Sequence, residues 1–119
     1  MWYIYLRQVS FLQQGSFLPT VNDLGCMGII ENKLKIPEDL ERCVKFHGHI
    51  CPGLIYGYLV AKKAMKLMEL RRAIDEEVVA ICENDSCAVD ALQVLLGTTA
   101  GKGNLIIRDF GKNAYTILS

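Results

Sequence analysis

The 119-residue sequence has no net charge: thirteen basic side chains balance thirteen acidic ones. That balance excludes the basic footprint of a protein that grips nucleic acid through its phosphates, so no nucleic-acid partner is expected. There is no apolar run near the roughly 20 residues that span a bilayer, and no basic region with a small-residue cleavage site opens the chain. A cytoplasmic protein with no membrane partner is expected. The five cysteines (Cys26, Cys43, Cys51, Cys82, Cys87) contain no C-x-x-C pair, which excludes a thioredoxin-type motif and a cysteine-paired zinc knuckle. An odd number without an export signal reads as thiols and not as a disulfide framework. Any metal would have to gather its ligands from separate segments.

Charge is also missing from one region, since only Arg7 and Asp23 carry it among the first 26 residues. That stretch begins apolar and aromatic, then loses any sustained helical or strand period. It reads as an N-terminal extension over 1–26, either an added strand or no native part of the domain. Residues 27–119 then form a single domain, large enough to bury a core without metal or disulfide staples. No repeat or low-complexity tract interrupts it.

With only three prolines, each one punctuates. Pro37 followed by Glu38 and Asp39 predicts a helix from about residue 37, because proline loses nothing in the first turn and acids complement the dipole. Leu40, Cys43, Val44 and His47 recur at helical spacing and place His47 on the inward stripe. Pro52 biases Cys51 out of the helical region, which stops this helix by about residue 50 and makes Cys51 the N-cap of a second helix to about Arg72. Leu54, Tyr58, Ala61, Met65 and Met68 mark the second helix's inner face.

Val78 to Cys82 is a short β-branched run, the pattern of a strand buried on both faces. A third helix is predicted from Cys87 to Leu96, capped by Asp85 or Ser86 and closed by Gly97. Residues 105–107 and 114–118 read as a hairpin of strands turning over Phe110 to Asn113. The predicted order α-α-β-α-β-β implies an α+β fold, its helices packed on a small mixed or antiparallel sheet.

Both histidines of the chain fall in His47-Gly48-His49-Ile50-Cys51. In an extended stretch all three donors share one side; in a helix only His47 and Cys51 do. Imidazole and thiolate suit Zn²⁺ or another late first-row ion, with a further position to fill. Cys87 is a candidate for it, lying at the start of the third helix as Cys51 does at the second, where helix dipoles favour the thiolate. Asp90, one turn on, would oppose that shift or orient a ligand by accepting its hydrogen bond. The alternative is a buried, hydrogen-bonded His47 with inert cysteine caps. Gly97 to Gly103 lacks the spacing and the hydroxyl of a nucleotide-binding P-loop. It is either a tight loop offering backbone N–H groups and Lys102 to a site or a solvated glycine turn.

Three blocks occur in order: Phe46-His47-Gly48-His49-Ile50-Cys51-Pro52-Gly53 with Gly57-Tyr58, then Glu83 to Gln93 containing Asp85-Ser86-Cys87-Ala88-Val89-Asp90, then Gly101-Lys102-Gly103-Asn104-Leu105 with Arg108 to Lys112. Together they resemble the E-subunit family of formylmethanofuran dehydrogenase over roughly residues 36–118. The resemblance implies an α+β core that dimerises and a metal site, usually taken to hold zinc, built here from His47, His49, Cys51 and Cys87. Asp85, Asp90, Gln93, Lys102 and Asn104 would be its neighbours. It also implies association with the formylmethanofuran dehydrogenase subunits that reduce carbon dioxide onto methanofuran. Thr98 stands where the family usually has cysteine, the C-terminal zinc finger of longer members is missing, and the family core normally runs past the last strand, so that Ser119 looks like an early stop.

Three functions therefore compete. The chain is an accessory metal-binding protein of formylmethanofuran metabolism, or a stand-alone metal- or thiol-dependent enzyme with Cys87, Asp90 and Lys102 as catalytic candidates, or a truncated, inactive paralogue.

Overall fold

The computed structural model describes residues 8–12 and 35–119. The expected boundary at Met27, and Cys26, lie outside the described residues. The elements are β1 (Gln8–Leu12), α1 (Glu38–His47), α2 (Pro52–Met68), β2 (Val79–Cys82), α3 (Ala88–Leu96), β3 (Leu105–Ile107) and β4 (Ala114–Leu118). From α1 onward the order is α-α-β-α-β-β, an α+β fold, with β1 added before it.

Local chemistry sets the helix limits. Pro37 stays extended outside α1, Glu38, Asp39 and Glu41 fill its first turn, and Gly48 ends it at φ 104°, its N–H bonded to the Val44 carbonyl. A left-handed Gly48 stops the helix before the restriction from Pro52 can act, so α1 closes at His47, within the expected limit of about residue 50. Cys51 is the extended N-cap of α2, with Pro52 behind it. That helix ends at Met68 with Glu69 left-handed, short of Arg72. The chain must turn there, because Ala73 is buried and donates its N–H to Leu96 at the end of α3.

The start of α3 departs from its expected capping. Neither Asp85 nor Ser86 caps the helix with its side chain, because the Ser86 hydroxyl is held by Asn84 and Tyr115. The first turn instead uses the carbonyls of Ser86 and Cys87, which accept from the Val89 and Asp90 N–H groups.

The sheet order is β1-β4-β2-β3. Strand β2 takes β3 in parallel on one edge, Ile81 opposite Ile106, and β4 antiparallel on the other, Ala80 opposite Ile117. Residues 105–107 and 114–118 are therefore strands but not a hairpin, because β2 lies between them. The chain from 108 to 112 crosses the end of β2, held there by Arg108 N–H on the Cys82 carbonyl and by Phe110 and Lys112 N–H groups on Glu83. Nor is β2 buried on both faces: Ala80 and Cys82 are fully buried while Val79 and Ile81 are half-buried. The buried face, completed by Tyr115 and Ile117, joins Leu54, Val60, Ala64, Leu92 and Leu96 in one core.

Helices α2 and α3 lie unusually close. A Cβ placed on Gly57 would sit 2.2 Å from the Ala88 carbonyl oxygen and 2.5 Å from its Cα. Only glycine permits this approach, which fixes the start of α3 beside the first turns of α2.

Strand β1 pairs with β4 from Gln8 opposite Leu118 to Leu12 opposite Ala114. We propose residues 27–119 as the domain, since α1 to β4 share one core among the described residues. The β1–β4 ladder changes what the extension does: a chain beginning at Met27 is expected to fold but to melt a few degrees lower, at roughly 4–8 °C per 1 kcal/mol for a domain of this size. Thermal melts of the two chains by circular dichroism check this; identical midpoints would show that β1 contributes nothing.

A candidate metal centre at the start of two helices

The close approach of α2 and α3 brings three chain segments together. His47 is the last residue of α1, Cys51 caps α2 three residues after Gly48, and Cys87 immediately precedes α3. One ligand atom from each of His47, Cys51 and Cys87 lies within 4.8 Å of the others. Gly53 makes room for this, as a Cβ there would meet the Cys87 Cβ at 3.2 Å.

Each donor is held by a specific contact. His47 Nδ1 lies 2.7 Å from Asp90 Oδ2, so its N–H donates to the carboxylate. This fixes the tautomer and leaves Nε2 facing Cys51 Sγ at 3.7 Å. Cys51 Sγ accepts the Leu54 N–H at 3.4 Å. All three donor residues are half-buried, shielded but reachable from solvent.

Their electrostatics are coupled. Asp90 raises the His47 pKa above its ordinary value, helped by Cys51 and opposed by desolvation. The Leu54 N–H lowers that of Cys51, with added pull from Cys87 and His47. Cys87 is pushed up, chiefly by its contact with Cys51 and then by burial. Cys51 is thus the more thiolate-prone of the two sulfurs. Burial pushes the thiols of Cys43 and Cys82 up to about 11 and about 12, which leaves them inert.

Two thiol sulfurs and one imidazole nitrogen, the imidazole oriented by a carboxylate, form a donor set that fits a late first-row ion such as Zn²⁺. Three protein donors leave one position of a tetrahedron open. Asp90→Asn is expected to weaken zinc binding by about 10- to 100-fold, read by competition with a chromophoric chelator. The same change should return the His47 titration, followed by NMR, toward its ordinary value. An unchanged zinc affinity would separate Asp90 from the site.

The pH dependence has two opposite signs. In metal-free protein the raised pKa of His47 means that its contact with Asp90 adds stability below the unfolded value of 6.5, and the gain is lost as pH rises through the folded value. A metal needs neutral imidazole and thiolates, so its stabilisation grows as pH rises. The difference in melting temperature between zinc-loaded and metal-free protein is expected to widen from about pH 6 to about pH 8. A flat difference would contradict this proton displacement.

Other candidate residues do not join the three-donor cluster. The His49 ring stacks on His47 with centroids 4.5 Å apart, but it is exposed and supplies no atom to the cluster. Asp85 is exposed and Gln93 half-buried. Lys102 is not brought to the cluster: its Nζ donates to the carbonyls of Ala73 and Ile74. Asn104 is buried and bonds the carbonyls of Asp75, Val78 and Gly97. Both therefore tie loops at the C-terminal end of α3, about 13 Å of helix from Cys87. Thr98 is buried, its hydroxyl on the Leu92 carbonyl.

Sequence reading missed the buried Asn84, three residues before Cys87. Its carboxamide accepts from the Ser86 and Tyr115 hydroxyls and donates to Asn113, fixing the loop that carries Cys87. The signal available was weak, an Asn in a turn. The glycines at 53 and 57, one helical turn apart in α2, carried a stronger one.

The chain spans 24% of the length of a curated relative in Archaeoglobus fulgidus, a "Probable S-adenosyl-L-methionine-binding protein"; the two are 38% identical over 88 residues, 71% of this chain. A family model described as "FmdE, Molybdenum formylmethanofuran dehydrogenase operon" matches residues 46–119. The match takes in all three donors and Asp90 and covers more than half of the sequence. The chain therefore belongs to the FmdE family.

Proposed function

We propose that this protein binds one transition-metal ion per chain, Zn²⁺ before others, through His47, Cys51 and Cys87. The observation that carries the reading is the convergence of these three donors, from three segments, within 4.8 Å. When bound, the ion would supply Lewis acidity at its open position. The chain's own residues do the rest. Asp90 holds the His47 ring by Nδ1, the Leu54 N–H keeps the Cys51 sulfur in place, and the loop fixed by Asn84 presents Cys87. His49, adjacent and exposed, is the nearby group able to turn inward as a fourth donor.

Elemental analysis of protein purified without chelator, and again after reconstitution with zinc, tests this. One metal per chain is expected, and a chain metal-free after reconstitution would refute it.

The three-donor set also favours a second reading, a small metal- or thiol-dependent enzyme with Cys87 and Asp90 beside the reacting group. A cobalt-loaded protein whose visible spectrum responds to added imidazole would support an open, reactive site. An unresponsive spectrum would support a closed scaffold.

Family membership supports a role beside formylmethanofuran, one-carbon chemistry, which we propose as the biological setting. In it the chain would act as a cytoplasmic homodimer able to join the dehydrogenase's other subunits. No helix among the described residues is long and apolar enough to cross a membrane. Sedimentation at micromolar concentration should then give twice the 13.3 kDa chain mass, and co-purification from native extract should recover the dehydrogenase. A monomer that recovers none of it would contradict this setting.

A further inference from the structure

Two of the three donors are thiols positioned to react with each other. Cys51 and Cys87 come from different helix starts, and their sulfurs lie within 4.8 Å. The backbones that carry them are locked side by side, because the Gly57 contact with Ala88 sets the approach of α2 to α3. A disulfide requires sulfurs about 2.05 Å apart and Cβ atoms roughly 3.5–4.5 Å apart, so a bond here needs the two sulfurs to close in by side-chain rotation. Gly53 keeps the space against the Cys87 Cβ clear. Both cysteines are half-buried, whereas Cys43 and Cys82 are fully buried.

We propose that Cys51 and Cys87 form a redox latch on the metal site, in which a hydroperoxide oxidises them to a disulfide and the metal loses two of its three donors. For its effect on the metal this rests on the proposed metal binding; for the reactivity of the pair it does not.

The chemistry balances within the site and the peroxide. The Cys51 sulfur attacks a peroxide oxygen, an S–O bond forms, the O–O bond breaks, and the leaving oxygen departs as alcohol or water with the thiol's proton. The Cys87 sulfur then attacks the Cys51 sulfur, the S–S bond forms and the S–O bond breaks. The second oxygen leaves as water with the Cys87 proton. The thiols lose two electrons and the peroxide gains them.

The test uses the full chain, metal-free or zinc-loaded, with hydrogen peroxide as the probe. Reduced protein is first assayed for zinc, so that a failure to bind metal is recorded before any oxidant is added. In the metal-free arm the expected result is a loss of ~2 Da, protection of two of the five cysteines from alkylation, and a peptide joining Cys51 to Cys87, all reversed by dithiothreitol. In the zinc-loaded arm the same product should form about tenfold more slowly, with the metal appearing on a chromophoric chelator as the disulfide forms. Sulfinic products without a disulfide, a link to Cys26, Cys43 or Cys82, or zinc retained by chains carrying the Cys51–Cys87 bond would each overturn the proposal. Zinc-free reduced protein would refute the metal reading alone, and the mass shift would still decide the thiol pair.

Discussion

Cys51→Ser and Cys87→Ser are each expected to cost most of the bound zinc, with affinity falling by about a thousandfold, roughly 4 kcal/mol. That figure follows from dividing the ~10–16 kcal/mol of a structural zinc site among its donors. Serine offers a hydroxyl where a late first-row ion prefers thiolate. Loss of metal through unfolding is separable from loss of a ligand. Serine is a good N-cap, so Cys51→Ser keeps the helix start that the thiol now caps for Leu54, and its metal-free melting temperature should stay within a few degrees of wild type. Elemental analysis after dialysis, paired with a melt of each metal-free variant, measures both. Variants that hold zinc as wild type does would return these cysteines to the role of inert caps.

Gly57→Ala is expected to have the largest effect on the fold itself. The added methyl would lie 2.2 Å from a carbonyl oxygen and 2.5 Å from the Cα of Ala88, and backbone cannot rotate out of the way as a side chain can. Separating α2 from α3 should cost about 3 kcal/mol, a large share of the ~5–15 kcal/mol that holds a domain together. The melting temperature of the metal-free protein would fall by on the order of 10 °C. The same displacement would carry Cys87 away from Cys51 and weaken zinc binding. Gly53→Ala is the informative contrast. Its methyl meets the Cys87 side chain at 3.2 Å, so it should disturb zinc more than stability. A Gly57→Ala protein that melts with wild type would mean that the two helices do not pack so closely.

What the sequence revealed and what it hid have physical causes. Pro37, Pro52 and the run from Val78 to Cys82 act locally, through missing donors, fixed φ and β-branched side chains, and the elements they mark were readable to within a few residues. Strand β3 and strand β4 were readable for the same reason. Their arrangement was not, because a short loop such as 108–113 is compatible with a hairpin and with a crossing of β2, and the choice is made by which strand edge is free. The histidine–cysteine block and Cys87 stood out as donors by type, and Asp90 by lying one turn from Cys87. That His47 reaches Asp90 depends on the packing of α1 against α3, a contact between residues far apart in sequence. Lys102 was left open by the sequence, since a cation in a glycine loop fits a site or a solvated turn equally well; two backbone carbonyls take it. The Ser86 hydroxyl was drawn from its expected cap by a buried Asn84 that only a weak pattern, an Asn in a turn, announces.

X-ray absorption at the zinc edge of reconstituted protein tests the central claim most directly, because it counts donors by element. Two sulfurs at about 2.3 Å with the remaining nitrogen or oxygen neighbours at about 2.0–2.1 Å, one carrying the multiple scattering of an imidazole, is the expected shell. A shell of oxygen and nitrogen alone, without sulfur, would contradict the assignment of Cys51 and Cys87 to the metal.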